Sequence, residues 1–201
     1  LKLMEDMEEV NAVTYKDETP LQVAVGGLIS GMGGALALTA ITVLGRQVMA
    51  GPGQRGSQQA AQYEQGLSAG EALSDTPNTP PTMNEVTATF VQKVATGLFG
   101  ESLSPGQQDV AGLAWHLTYG GFWGMVYALV QSGVRLPQLL LAPIYGLVLW
   151  AVGPGWLVPK MKIMLPPGGQ NRANAALMAG GHLAYGVLVA LGVRLMRQTK
   201  A

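Results

Sequence analysis

Cysteine is absent from the 201 residues, and charge is scarce, with Asp, Glu, Lys and Arg together making up 12%. The first absence removes disulfides, thiolate metal sites and cysteine nucleophiles together. The second leaves roughly half the charged fraction of an ordinary soluble domain. Net charge is zero and no Lys/Arg cluster stands out, so nothing here attracts a nucleic acid. No nucleophile elbow, HExxH zinc helix, phosphate-binding loop or dinucleotide fingerprint occurs either. The chain is expected to be non-catalytic, with no catalytic residue and no metal site assigned.

What charge there is avoids four long windows, 20–45, 110–134, 136–159 and 173–193, if histidine is counted neutral. Each is about 21 to 26 residues long, against roughly 20 needed to cross a bilayer core. A charge at the bilayer centre costs at least about 2.5 kcal/mol, so lipid imposes such gaps. A large soluble helical core is the competing reading, but its helices would keep a polar stripe facing water. The expected architecture is all-α: an integral membrane four-helix bundle with spans near 20–46, 107–132, 138–158 and 174–197. Residues 1–19 form an acidic tail ahead of this single membrane domain (20–201). A secretory signal is not expected, because the first apolar window is too long and follows Glu5-Asp6-Met7-Glu8-Glu9.

Between the first two spans, 47–106 is rich in Gly, Pro, Gln and Ser and reads as mostly irregular. Inside it Thr82 and Glu85 match a capping box, opening an amphipathic helix over about 83–99. There Val86, Phe90, Val91, Val94 and Leu98 share one face, which lies along the membrane surface or over the bundle. Gly97 and Gly100 help to stop it. Ser104-Pro105, with Gln107, marks the next helix start. The short link 131–137 makes the second and third spans antiparallel neighbours. Pro154, within Gly153-Pro154-Gly155, should kink or end the third span, unless the break forms a discontinuous-helix substrate site. Arg194, Arg197 and Lys200 close the fourth. One side of the membrane then carries Lys2, Lys16, Arg135, Arg194, Arg197 and Lys200. The other carries Arg46, Arg55, Lys93, Lys160, Lys162 and Arg172, so charge does not choose an orientation.

One pattern repeats. His116-Leu-Thr-Tyr-Gly120 recurs as His182-Leu-Ala-Tyr-Gly186, and Leu28-Ile-Ser-Gly31 faintly matches Pro143-Ile-Tyr-Gly146. The repeat implies two duplicated helical hairpins in parallel orientation. Each histidine would lie about six residues inside its span, roughly 9 Å deep, in the same half of the membrane. The two imidazoles could ligate a haem iron or a chlorin magnesium, or shuttle protons. The plainer reading has each hydrogen-bond a neighbouring carbonyl or tyrosine and lock a helix contact. No Asp or Glu lies in any span to orient a ligating histidine, which weighs against ligation. No cofactor is therefore assigned, and lipid is the expected contact. Gly27 and Gly31 form a GxxxG pair, and Gly120, Gly124 and Gly186 sit one to two turns from a histidine on the same face; all five are expected to pack helices closely. Trp115, Trp123, Trp150 and Trp156 read as interfacial anchors more readily than as a stacking platform.

The run Gln92-Lys93-Val94-Ala95, the Leu103-Ser-Pro start, His116, Tyr119-Gly120 and Trp123-Gly124-Met-Val-Tyr127 resemble the YagU-like family of bacterial inner-membrane proteins. So do Gly146 with Trp150, the Val158-Pro159 exit and Gly181-His182-Leu-Ala-Tyr185-Gly186. The resemblance spans roughly 83–197 and, more loosely, the first span. It implies a multi-span helical protein of the bacterial cytoplasmic membrane with no established activity and a link to acid tolerance. Relatives often carry acidic residues after the third-span tryptophan, where this chain has Ala151-Val-Gly-Pro-Gly155. The expected role is that of a structural or accessory subunit packed against other membrane proteins. Two alternatives stay open: a small transporter or sensor using His116 and His182, and a haem- or chlorophyll-type cofactor protein using the same pair.

Overall fold

The computed structural model describes residues 18–49, 83–134, 136–170 and 172–198. The acidic tail up to residue 17 and most of the polar connection lie outside these, and so does Thr82, half of the expected capping box. Among the described residues the structure is helical, without strands. Helix α1 is Pro20–Met49, α2 is Met83–Val94, α3 is Pro105–Gly133, α4 begins as Gln138–Val152 and α5 is Arg172–Gln198.

Two helices open with the same chemistry. At α1 the Thr19 backbone N–H donates to Gln22 Oε1 at 2.9 Å, and the Gln22 N–H donates to Thr19 Oγ1 at 3.3 Å. This is a reciprocal capping box with Pro20 in the first helical position. At α3 the Ser104 N–H donates to Gln107 Oε1 at 2.9 Å, ahead of Pro105. Glu18, which precedes the Thr19 cap of α1, binds Arg197 near the end of α5, with 2.9 Å between Oε2 and Nε. Both side chains of that pair are largely buried.

Pro154 neither ends nor breaks its helix. The chain passes through a π-helical turn, Gly153–Leu157, and continues as Val158–Lys160. The wider turn absorbs a residue that lacks an N–H and would clash in α-helical register. The span therefore reaches Lys160, two residues beyond the expected limit, without the interruption that a discontinuous substrate site requires. After it Lys162 adopts φ +54°. Its N–H donates to Pro159 O at 2.9 Å, and the Ile163 N–H donates to Val158 O at 3.2 Å. This is a Schellman closure in which lysine occupies the left-handed position usually given to glycine, at a cost of about 1 kcal/mol.

Three stretches, Pro20–Gly45, Leu140–Lys160 and Arg172–Gln198, are long and apolar enough to cross a membrane. The expectation of a fourth rested on missing charge, and α3 shows why that is not the same as apolarity. At 29 residues it has ample length, but His116, Thr118, Tyr119, Tyr127, Gln131 and several glycines dilute its aliphatic content.

The chain forms two compact units, and each long helix contributes to both. The first takes the described residues up to Ala37, Leu117–Val148 and the residues from His182 onward. Its buried side chains include Val23, Ala35, Tyr127, Leu141, Tyr185, Val189 and Val193. The second takes the described residues of 38–116 and 149–181. There α2 lies against α3, where a Cβ on Gly112 would stand 2.7 Å from the Ala88 nitrogen. Phe90 stacks on Trp115 with ring centroids 4.9 Å apart. Val86 closes a core with Ile163 and Met164, flanked by Phe90, Val158 and Met161. So the apolar face of α2 is covered by protein for most of its length. The π turn that follows it, Ala95–Phe99, is not: Leu98 and Phe99 are 75% and 73% exposed, and Gly100 stops the turn at φ +69°.

Gly112→Leu should lift α2 from α3 while leaving membrane insertion intact. Faster amide exchange over residues 83–99, with α1 and α5 unchanged, is the expected readout; equal protection in the variant would refute the contact.

Candidate functional site

The first unit is organised by glycine. On α1, Gly27 and Gly31 meet Gly120 and Gly124 of α3. A Cβ on Gly27 would stand 2.5 Å from the Gly124 carbonyl oxygen, and one on Gly31 2.8 Å from the Gly124 Cα. A Cβ on Gly120 would stand 2.5 Å from Ala35 Cβ. These backbones touch, an approach that only small residues permit and that carries helix association where lipid offers no hydrophobic drive. On α5, Gly186 meets α4, and a Cβ there would stand 3.0 Å from the Gly146 nitrogen. A Cβ on Gly146 would in turn stand 2.9 Å from the His182 carbonyl carbon. Gly146 was not among the expected packing glycines; its signal was the faint match between the first and third spans.

Two phenols tie the helices across these seams. Tyr185 OH donates to the Gly120 carbonyl and Tyr145 OH to the Trp123 carbonyl, each at 2.6 Å. A carbonyl already bonded within its helix has a second lone pair to offer. The glycines bring the backbone near enough to be reached. Tyr145 also meets Tyr127 edge-on at 5.1 Å, and Gln138 Nε2 donates to the Ala190 carbonyl. α5 packs on α1 as well, where a Cβ on Gly34 would stand 2.9 Å from a Val189 methyl and 3.0 Å from the Tyr185 ring.

The two copies of the His-Leu-x-Tyr-Gly motif have different surroundings. Tyr185 is 2% exposed, whereas Tyr119 is 39% exposed and meets Trp123 edge-on at 5.9 Å. His116 is buried in the second unit, and His182 is half-buried in the first. Neighbouring groups engage both histidines. Among the described residues no group of three or more His, Asp or Glu side chains stands together to hold a metal ion. Of the tryptophans, Trp115 is stacked on Phe90, Trp123 lies between Tyr119 and Phe122, and Trp156 is exposed beside Lys160. Trp123 Nε1 and Gln131 Oε1 are buried with no hydrogen-bond partner among the described residues. No sequence signal pointed to this pair, two turns apart on α3.

No family model matches the chain, and neither a curated protein nor a solved structure does.

Gly124→Leu should prevent the α1–α3 contact, whereas Gly33→Leu, where a Cβ meets nothing within 4 Å, should be tolerated. Tyr185→Phe should cost about 0.6 to 1.7 kcal/mol, the range for a hydrogen bond between membrane helices. Unfolding in mixed detergent micelles measures both, and a Tyr185→Phe chain as stable as the wild type would remove the phenol from the account.

Proposed function

We propose that the chain is a non-catalytic accessory protein of the bacterial cytoplasmic membrane, a four-helix bundle of two duplicated hairpins that packs sideways against other membrane proteins. In this reading α3 is the fourth span. Its support is length, the absence of charge after Asp109, and glycines pressed against α1. The duplication is supported by matching contacts. Gly31 of the first hairpin and Gly146 of the second, equivalent in the faint match, each pack on the helix that carries the His-Leu-x-Tyr-Gly motif. The register differs by one turn: Gly31 approaches Gly120, whereas Gly146 approaches His182, the equivalent of His116. The YagU-like resemblance of residues 83–197 supports the bacterial membrane assignment.

The observation that carries the accessory role is a contrast among the glycines. Gly27, Gly31, Gly120, Gly124, Gly146 and Gly186 are filled to backbone contact, but Gly33 on α1 and Gly180 on α5 face open space, both exposed within apolar spans. Around Gly33 the exposed residues Ile29, Met32 and Leu36 continue an apolar surface. A mid-helix glycine costs about 1 kcal/mol of helix propensity relative to alanine. Inside the bundle, close packing offsets that cost. On an outer face a helix from another protein supplies the equivalent contact. His116 and His182 serve here as packing groups.

Because the chain lacks cysteine, Gly33→Cys gives a single reactive position. After extraction in mild detergent the protein should copurify with a membrane partner, and the cysteine should crosslink to it. Gly33→Leu should weaken that association without unfolding the chain. Migration of the wild type as a lone monomer, with no crosslinked product, would overturn the proposal.

A further inference from the structure

The last turn of α4 carries features that helix packing does not use. Lys160 Nζ sits 4.4 Å from the centroid of the Trp156 ring, one turn earlier. Trp156 is 55% exposed, Leu157 beside it is exposed, and so are Lys160 and Lys162. These residues end the apolar stretch Leu140–Lys160, which places them where hydrocarbon gives way to headgroups. Tryptophan and lysine both favour that depth. Trp156 lies within the π turn Gly153–Leu157, which sets its register relative to Lys160, and such turns recur at functional sites. Among the described residues no carboxylate pairs with Lys160 or Lys162.

Lys162 separates a binding role from a structural one. It holds the left-handed position of the Schellman closure at φ +54°, where glycine is the residue that conformation favours. The helix dipole accounts for one cation near a C-terminus. It does not account for a second cation in a strained conformation, nor for an exposed indole aligned with the first.

We propose that Trp156, Lys160 and Lys162 form a binding site for the phosphate of an anionic phospholipid. The indole holds the Lys160 ammonium by cation–π contact and seats beside the glycerol backbone, while the two ammonium groups attract the phosphate. The Val86–Ile163–Met164 core fixes the chain that follows, so the closure is held in place before any lipid arrives. The proposal requires only that α4 cross the bilayer, and does not depend on the accessory role.

The test uses the full chain in phosphatidylcholine vesicles containing a minor fraction of brominated phosphatidylglycerol or brominated phosphatidylcholine. The difference in fluorescence quenching between the wild type and Trp156→Phe isolates Trp156. Quenching should favour the anionic lipid by about fivefold per cation, the surface attraction of one lysine. Lys160→Gln and Lys162→Gly should each reduce that preference by a similar factor. Lys162→Gly should do so with an unchanged or higher thermal midpoint, which a purely structural lysine would not allow together with lost lipid preference. Equal quenching by the two lipids would overturn the proposal, and so would a preference that survives in the double variant. Removal of the preference by millimolar inorganic phosphate would also overturn it, by showing a site for the free anion instead.

Discussion

Two backbones brought into contact by glycine are the interaction on which the first unit depends. In lipid the usual incentive for association is missing, since a leucine is as well solvated by an acyl chain as by another leucine. What remains is dispersion at short range and hydrogen bonding to groups that lipid leaves unserved. The Gly27, Gly31, Gly120 and Gly124 seam supplies the first, and the phenols of Tyr185 and Tyr145 supply the second. The two are linked, because a phenol reaches a neighbouring helix's carbonyl only where no side chain stands between.

The second unit is held differently. Larger side chains meet there: Phe90 on Trp115, and Val86 against Ile163 and Met164. Its helix ends are closed by backbone hydrogen bonds and turn chemistry more than by glycine seams. Proline at position 154 is accommodated by a local change of helical pitch, and lysine at 162 by a left-handed backbone. Both sit at the end of one apolar stretch, where the chain must leave hydrocarbon and turn back.

Helix positions were largely legible in the sequence, because charge exclusion, capping residues and glycine spacing are local properties. The start of α3 could be read from Ser104-Pro105 and Gln107. The same signature at Thr19-Pro20 and Gln22 went unread beside the acidic tail. Charge gaps alone do not make α3 as apolar as the other three long stretches, since tyrosine, histidine, threonine and glutamine are uncharged without being apolar. Pro154 does not end its helix, because a π turn accommodates it there. The site was harder to read for a related reason. Spacing gives a face of a helix but not its neighbour, so the Gly146–Gly186 contact and the Tyr185–Gly120 bond had no local signal. The repeated motif invited equal treatment of Tyr119 and Tyr185, but the first is exposed beside Trp123 and the second is buried and bonded to the Gly120 carbonyl.

The Glu18–Arg197 ion pair joins residues that are almost the full described chain apart. The unit it closes draws on sequence up to Ala37, on Leu117–Val148 and on sequence from His182, so its parts are synthesised at well-separated times. Gly34 gains its cover, and Gly120 its phenol, only when α5 has been made. Final assembly of that unit therefore waits for the synthesis of α5, long after α1 has been made.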